Sequence, residues 1–197
     1  MAPKALPKMI VFDLDDCLWT PEMYTLPNKP TKPILGRLQG DAGEGVTGVQ
    51  CSGGGPTVSL FPDALTILQR LYTERETTYK DTLFAVASSS EEPSYSRSCL
   101  ENLDIFPGVK MNSLFPYQQI GRTGRLTSRK TTHFDELKKS VPHVEFDSML
   151  FFDDCNWGDH VGDLNSARGV IGVRTPTGLT CAQFEEGLAL YARTKAK

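Results

Sequence analysis

Short apolar runs recur along the chain, and polar or acidic residues follow each of them. Four runs stand out, at Met9 to Phe12, Leu83 to Ala87, Met149 to Phe152 and Val170 to Val173. Their hydrophobicity is continuous rather than alternating, which is typical of parallel strands that are covered on both faces. The pattern therefore predicts a buried parallel sheet.

Residues at helical spacing separate these runs and predict helices over 63–79, 91–103 and 131–140. Pro62 stands where a first-turn proline is tolerated, and Pro142 ends the third helix. A last helix is expected after Thr180, because Thr180 and Gln183 have the spacing of a capping box. Strands and helices in alternation predict an α/β fold with a doubly wound, mainly parallel sheet.

The segment at about 20–56 breaks this alternation. It is rich in Pro, Gly, Thr and Asn and has little periodicity, so we expect a long irregular loop that could include a small hairpin. Its glycines lack the spacing, and the flanking strand and helix, of a nucleotide-binding loop. A chain of 197 residues can bury a sufficient core without a metal or disulfide, and we expect one domain over 1–197.

Charge and cysteine content exclude some function classes. With 21 Lys plus Arg against 24 Asp plus Glu, the net charge of -3 disfavours a protein that must neutralise many nucleic-acid phosphates. The five cysteines have no zinc-type spacing and suit a reducing compartment. The first apolar run is too short for a signal peptide or a membrane span. We expect a cytoplasmic monomer with no nucleic-acid or membrane partner.

Acidic residues follow two of the predicted strands. Asp13, Asp15 and Asp16 come after the first run, and Asp153 and Asp154 end the third. The carboxyl ends of parallel strands meet at one crevice, so these carboxylates should converge there. Without a counter-ion they would repel one another, and a site made only of oxygen ligands favours Mg²⁺.

A hydroxyl and a lysine complete this pattern. Ser88 follows the second apolar run, and Lys130 comes just before the third predicted helix. A carboxylate nucleophile together with a hydroxyl and an ammonium that hold phosphoryl oxygens describes a phosphoryl-transfer site. Each residue alone also has a structural interpretation: a strand-end Asp as a cap, Ser88 to Ser90 as a polar turn, and Lys130 as a solvated side chain, with Arg129 competing for its role.

Other residues near these motifs have weaker signals. His133 and His143 lack partners at metal-ligand spacing, so we interpret them as surface or packing residues. Trp19 and Trp157 lie near the acidic clusters and could either pack in the core or line the mouth of a substrate site.

Four motifs in order carry a resemblance to a known family: Val11-Phe12-Asp13-Leu14-Asp15, then Ser88, then Lys130, then Phe151-Phe152-Asp153-Asp154. The chain resembles the haloacid dehalogenase superfamily of phosphohydrolases, and within it the eukaryotic magnesium-dependent phosphatase-1 group. The resemblance covers nearly the whole chain except the segment at about 20–56. It implies a Rossmann-like core. The segment at about 20–56 occupies the usual place of a cap but is too short and irregular to form a full cap domain, so we expect an open site.

The resemblance also implies roles for single residues. Asp13 would be the nucleophile that forms an aspartyl-phosphate, and Asp15 the acid/base. Mg²⁺ would be held by Asp13, the backbone carbonyl of Asp15, and Asp153 or Asp154. The phosphoryl group or substrate would be bound by Ser88, Ser89, Lys130 and the backbone amides of Leu14 and Asp15.

Two positions depart from the group's pattern. Ser89 stands where the group has Arg, which removes a bidentate donor to phosphate or substrate. Cys17 stands where the group usually has Thr, and we expect this small residue to be tolerated.

The expected function is Mg²⁺-dependent hydrolysis of a phosphomonoester on a small molecule or a phosphoprotein. An open site admits bulky substrates, such as phosphotyrosine on proteins or sugar phosphates. The presence of Asp15 argues against dehalogenase chemistry, which the resemblance implies would use one aspartate and no Mg²⁺. Two alternatives remain: a receiver-like signalling domain that accepts a phosphoryl group, and a catalytically silent binding domain of the same fold.

Overall fold

The computed structural model describes residues 5–196. In chain order, its strands are β1 (Met9–Phe12), β2 (Trp19–Thr20), β3 (Pro30–Arg37), β4 (Glu44–Cys51), β5 (Thr57–Leu60), β6 (Leu83–Ser88), β7 (Asp104–Phe106), β8 (Val109–Lys110), β9 (Tyr117–Ile120), β10 (Met149–Asp153) and β11 (Ile171–Arg174). Its helices are α1 (Pro62–Glu74), α2 (Pro93–Asn102), α3 (Lys130–Ser140), α4 (His160–Arg168) and α5 (Cys181–Lys195).

A five-stranded parallel sheet with the order β11-β10-β1-β6-β9 forms the centre of the fold. Strand β1 lies in the middle, with Phe12 in register with Phe152 on one side and Val86 on the other. The predicted parallel sheet is confirmed, and all four predicted strands belong to it. Strand β9 was not predicted, because the two glutamines of Tyr117–Ile120 interrupt any apolar run.

Helices cover both faces of this sheet. Ile10 and Phe12 point into one core, which contains apolar residues of α1, α2 and α5. Met9 and Val11 point into a second core with Phe134 of α3 and apolar residues of α4. Successive side chains of a strand face opposite sides, so both faces of β1 must be apolar. The α/β doubly wound fold class is confirmed, and this arrangement explains the unbroken hydrophobic run.

The helices agree with the sequence patterns to different degrees. Helix α1 begins at Pro62 and ends at Glu74, before the predicted limit at residue 79. The capping box of α5 is present, since the Thr180 side chain accepts from Gln183 N and the Gln183 side chain accepts from Thr180 N. Helix α4 was not predicted, because it buries only Leu164 and has no apolar stripe.

None of the helices within 5–196 combines the length and apolar character needed to cross a membrane.

The expectation of an irregular loop at about 20–56 is wrong for most of that segment. Strands β3 and β4 form a long antiparallel hairpin, which joins β5 and β2 in a second sheet with the order β2-β5-β4-β3. The pattern hid β3 because it is an edge strand with two prolines and mostly exposed side chains. The side-chain hydroxyl of Ser98 on α2 donates to the Pro30 carbonyl over 2.6 Å and helps to hold β3 in place. The insertion between β1 and α1 is thus one small sheet, in keeping with the expected absence of a full cap domain.

Candidate active site

The carboxyl ends of β1, β6 and β10 meet at one edge of the central sheet. Asp13 directly follows β1, Ser88 ends β6 and Asp153 ends β10. The amide of Asp13 donates to the Phe152 carbonyl over 2.9 Å, which extends the ladder between the two strands by one residue. Because the strands are parallel and in register, the two acidic segments lie side by side, as the sequence predicts.

Lys130 lies between two of these carboxylates. It is the first residue of α3 rather than the residue before it, and its side chain is buried. Its Nζ lies 2.7 Å from Asp13 Oδ1 and 3.1 Å from Asp153 Oδ2, and it donates to the Ala87 carbonyl over 2.8 Å. Burial alone would lower the pKa of Lys130, but Asp13 and Asp153 outweigh it and raise the pKa above its ordinary value. The ammonium is therefore charged, and its exposed neighbour Arg129 does not take this position.

Asp13, Asp153 and Asp154 form an acidic cluster in which each residue offers one oxygen, all within 4.8 Å of one another. Burial, followed by the charges of Asp153 and Asp154, keeps the pKa of Asp13 well above its usual value, although Lys130 opposes this. Burial would also raise the pKa of Asp153, but Lys130 and His160 bring it below its usual value.

This donor set fits a hard divalent cation. All three ligands are carboxylate oxygens, which Mg²⁺ prefers in proteins. Asp153 Oδ2 is buried and has the Lys130 ammonium 3.1 Å away as a charged neighbour, but it accepts no hydrogen bond of good geometry from any residue within 5–196. A lone pair of this oxygen therefore remains for a cation. The carboxylate of Asp15 lies outside this cluster.

Asp15 occupies a different environment from Asp13, although both line the same pocket. Its Oδ1 accepts from Trp19 Nε1 over 2.7 Å and its Oδ2 accepts from the amide of Met23 over 3.1 Å. Burial is the largest influence and raises the pKa of Asp15 to about 6. A carboxyl with this pKa can exchange a proton near neutral pH, which suits acid/base chemistry.

The local turn after β1 explains how both aspartates reach the pocket. Asp13 and Asp15 alternate with the fully buried Leu14, so they share one side of the extended chain. The chain then reverses at Asp16, whose φ is 52°, a left-handed conformation that Asp adopts more readily than most residues. The amides of Leu18 and Trp19 both donate to the Leu14 carbonyl and close this turn.

The other predicted phosphate-binding groups line the pocket or face Asp13. Ser88, the last residue of β6, and Ser89, the residue after it, both line the pocket. The amide of Leu14 donates to Asp13 Oδ1 over 2.8 Å, so it holds the orientation of that carboxylate. The structure thus brings Asp13, Lys130, Asp153 and Asp154 into contact, with Asp15, Ser88 and Ser89 on the walls of the same pocket.

Several pocket residues have no counterpart among the sequence predictions, and His160 and Arg122 are two of them. His160, the first residue of α4, places Nδ1 3.0 Å from Asp153 Oδ1. Arg122 follows β9, and the Ser89 carbonyl and the Glu91 carboxylate hold its guanidinium. Only one local signal was available for His160, the N-cap Asp159, whose side chain accepts from Gly162 N and starts the helix beside the site.

Comparison with known proteins agrees with this geometry. The sequence profile of the family described as Acid Phosphatase matches residues 5–194. The chain belongs to this acid phosphatase family. It is also 26% identical to the human protein named Magnesium-dependent phosphatase 1 over 191 residues, which cover 96% of this chain and 90% of the relative. The expected likeness to a haloacid dehalogenase type phosphatase is confirmed, and so is the expectation of a phosphatase enzyme.

The pocket of this acid phosphatase family member has a volume of about 540 Å³, within the range of small-molecule sites. Asp13, Asp15 and Asp154 line its acidic part. The wall after β9 carries Arg122 and Arg129, while Tyr24 and Trp157 line it on other segments. The volume exceeds what a phosphoryl group fills, so the leaving group of a substrate also has room inside.

His133 of α3 is a packing residue behind the pocket, as the sequence interpretation allows. It is fully buried, and its Nε2 lies 3.0 Å from the carbonyl oxygens of both Ser88 and Gly121. Its Nδ1 lies farther from a carbonyl, 3.3 Å from that of Arg129, so the hydrogen of the neutral ring is best placed on Nε2, which has two closer acceptors. Burial, together with the nearby charge of Lys130, lowers the pKa of His133 to about 4.

This shift predicts a loss of stability in mild acid. Because the pKa of His133 in the folded state is below the ordinary value of 6.5, the unfolded chain binds the proton first as the pH falls. The free energy of unfolding should therefore decrease between about pH 6.5 and pH 4, by roughly 3 kcal/mol from this group. Urea unfolding of the wild type and of His133→Gln, which keeps a neutral N–H donor, measures this difference. Carboxyl groups that titrate in the same range are shared by both proteins and cancel. Parallel pH profiles for the two proteins would contradict the prediction.

Proposed function

We propose that this chain is a Mg²⁺-dependent phosphomonoester hydrolase that works through an aspartyl-phosphate on Asp13. The observation that carries the proposal is the position of the Asp13 carboxylate. It lies on the pocket wall, 2.7 Å from the Lys130 ammonium and within 4.8 Å of oxygens from Asp153 and Asp154. A carboxylate between a cation and a candidate metal site can approach an anionic phosphoryl group that it would otherwise repel.

The predicted cofactor, Mg²⁺, is supported by the all-oxygen cluster and by the similarity to the human protein named Magnesium-dependent phosphatase 1. Asp13, Asp153 and Asp154 would hold it, with the backbone carbonyl of Asp15 as a further ligand. When bound, the ion supplies positive charge that neutralises the phosphoryl oxygens and the surrounding carboxylates.

The reaction then needs two proton transfers, and Asp15 is placed for both. An oxygen of Asp13 attacks phosphorus, the bond from phosphorus to the leaving oxygen breaks, and Asp15 gives its proton to that oxygen. Water then attacks phosphorus of the aspartyl-phosphate, Asp15 takes the proton of that water, and Asp13 is regenerated. Lys130 and Ser88 bind the phosphoryl oxygens in both steps, and Leu14 N orients Asp13.

The two alternative classes have less support. A receiver-like domain would carry a phospho-accepting aspartate, but it would not need a second carboxyl held as Asp15 is, in the same pocket with a pKa of about 6. A silent binding domain has no use for a buried, charged lysine between two carboxylates. Membership of the acid phosphatase family favours the enzyme over both.

Further expectations remain proposals. Every described group of the site comes from one chain, so a monomer would be complete. All five cysteines are free thiols, which supports the proposed cytoplasmic location. Phosphotyrosine on proteins and sugar phosphates are the candidate substrates.

The proposal predicts that activity depends on the metal and on a covalent intermediate. Purified protein should hydrolyse para-nitrophenyl phosphate when Mg²⁺ is present. The rate of hydrolysis should fall by at least about 100-fold in EDTA. Excess Mg²⁺ should restore the rate, which would show that EDTA acts by removing the metal and not by unfolding the protein irreversibly. Acid quenching during turnover of ³²P-labelled substrate should trap phosphoprotein that hydroxylamine releases, as expected of an acyl phosphate. Full activity in EDTA would refute the requirement for the metal. A protein-bound label that resists hydroxylamine would refute the aspartyl-phosphate intermediate.

A further inference from the structure

Two exposed aromatic side chains meet at the pocket. Trp157 is 73% exposed and Tyr24 is 53% exposed, and both line the cavity that contains Asp13. Their ring centroids are 6.2 Å apart with the planes at 78°, an edge-to-face contact. Large apolar side chains that are exposed to solvent and lie together are a common feature of ligand-binding and interaction surfaces. We refer to Tyr24 and Trp157 as the aromatic lip.

Hydrogen bonds fix the aromatic lip relative to the acidic residues. Trp157 Nε1 donates to Glu22 Oε1 over 2.9 Å, which joins the segment that carries Trp157 to the segment that carries Tyr24. The amide of Met23, next to Tyr24, donates to Asp15 Oδ2. The amide of Asn156, next to Trp157, donates to Asp154 Oδ2 over 3.0 Å. Each half of the lip is therefore tied to a carboxylate of the site and is held in place before any substrate binds.

We infer that the aromatic lip is a specificity-determining element that selects phosphomonoesters with a planar aromatic group next to the phosphoryl group. This inference rests on the proposed function, and it favours aromatic over sugar or other aliphatic leaving groups. With the phosphoryl group at Asp13, the remaining cavity extends to the indole of Trp157 and the ring of Tyr24. A planar ring can stack on these rings or meet them edge-on with its own π system, whereas a non-planar sugar offers them only C–H contacts and forms no aromatic pair. Because the lip is already held by Glu22, stacking costs little ordering of the protein.

A matched pair of substrates separates ring stacking from leaving-group chemistry. Benzyl phosphate and cyclohexylmethyl phosphate both release a primary alcohol and are similar in size, but only the first has a planar aromatic ring. The wild type should bind benzyl phosphate with a KM about fivefold lower, in keeping with measured aromatic pair energies, and with a similar kcat. Equal KM values for the two substrates would overturn the inference.

Variants of the lip test which property of Trp157 matters. Trp157→Ala should raise the KM for benzyl phosphate about fivefold and leave that for cyclohexylmethyl phosphate within about twofold. Trp157→Phe loses the bond to Glu22 but keeps a ring, so it should retain most of the preference. Leu35→Ala removes an equally exposed apolar side chain, 74% in water and outside the pocket, and should change neither KM. An equal loss for both substrates in Trp157→Ala, or a Phe variant that behaves like Ala, would assign Trp157 a structural role instead.

Binding without turnover distinguishes failure of this inference from failure of the proposed function. The chain has two tryptophans: Trp157 is exposed at the pocket, whereas Trp19 is fully buried and donates to Asp15. The quenching that Trp157→Phe removes is therefore the response of Trp157 itself. Benzylphosphonate should produce this quenching at about fivefold lower concentration than cyclohexylmethylphosphonate. If the protein hydrolysed neither phosphate, the proposed function would fail, while the two phosphonates would still decide the inference. Equal binding of both phosphonates would overturn it.

Discussion

Asp13→Asn should abolish phosphatase activity, with a fall in kcat of at least about 10³-fold, because an amide oxygen cannot replace a carboxylate nucleophile. The fold should survive. Asp13 is buried and its pKa is raised well above the usual value by burial and by Asp153 and Asp154, so a neutral side chain relieves repulsion there. Steady-state hydrolysis of para-nitrophenyl phosphate with Mg²⁺ measures the loss, and circular dichroism with thermal unfolding checks the fold.

The neighbouring aspartate provides a matched control. Asp16→Asn makes the same chemical change three residues away, at a left-handed φ of 52° that Asn also tolerates. Asp16 does not line the pocket, so this variant should keep activity within about twofold of the wild type. Substantial turnover by Asp13→Asn, with no hydroxylamine-sensitive label, would mean that water attacks the substrate directly and that Asp13 acts only as a ligand.

Lys130→Met should have the second largest effect, on both stability and activity. The ammonium is buried and lies within 3.1 Å of carboxylate oxygens of Asp13 and Asp153. Its removal leaves the buried Asp13 carboxylate without a counter-charge and leaves Asp153 with His160 as its remaining side-chain partner. Breaking a buried ion pair typically costs about 3–5 kcal/mol, so we expect the free energy of unfolding in EDTA to fall by about that amount. Activity with Mg²⁺ should fall at least about 100-fold, because the substrate loses a cation and Asp13 is driven toward its protonated form. Urea unfolding and hydrolysis assays measure the two effects.

A lysine on the same helix serves as the comparison for Lys130. Lys139 is 53% exposed and pairs with Glu136 at the surface. Since exposed ion pairs contribute little, Lys139→Met should change the free energy of unfolding by no more than about 0.5 kcal/mol and leave activity intact. If Lys130→Met proved as stable as Lys139→Met, the contacts of Lys130 would not stabilise the fold. If it kept wild-type activity, Lys130 would have no part in catalysis.

The elements of the central sheet could be predicted because their signals are local. The runs that became β1 and β10 are apolar at every position, and the capping box at Thr180 and Gln183 depends on residues three apart. The hairpin of β3 and β4 could not be predicted in this way. Strand β3 satisfies its backbone by pairing with β4 while most of its side chains face water, so its own sequence carries no apolar period.

The class of this protein and the order of its chemical groups can be inferred from local sequence patterns alone. Strand-end acids at Asp13 and Asp153 can belong to one site wherever parallel strands pair, and the motif order points to a phosphatase. The sequence patterns do not show which charged side chains are in contact, because these contacts form only in the folded protein. Lys130 reaches Asp13 and Asp153 because α3 begins beside the ends of β1 and β10.

The residues that surround the acidic cluster are likewise brought together only by folding. His160 and the aromatic lip come from segments that meet only after folding. Trp157 and Glu22 are hydrogen-bonded although 135 residues separate them in the chain. Contacts over such distances depend on how helices and loops pack against the sheet, which no periodic pattern records. The chemistry of the site is therefore encoded in short motifs, while the aromatic surroundings of its pocket depend on packing between distant segments.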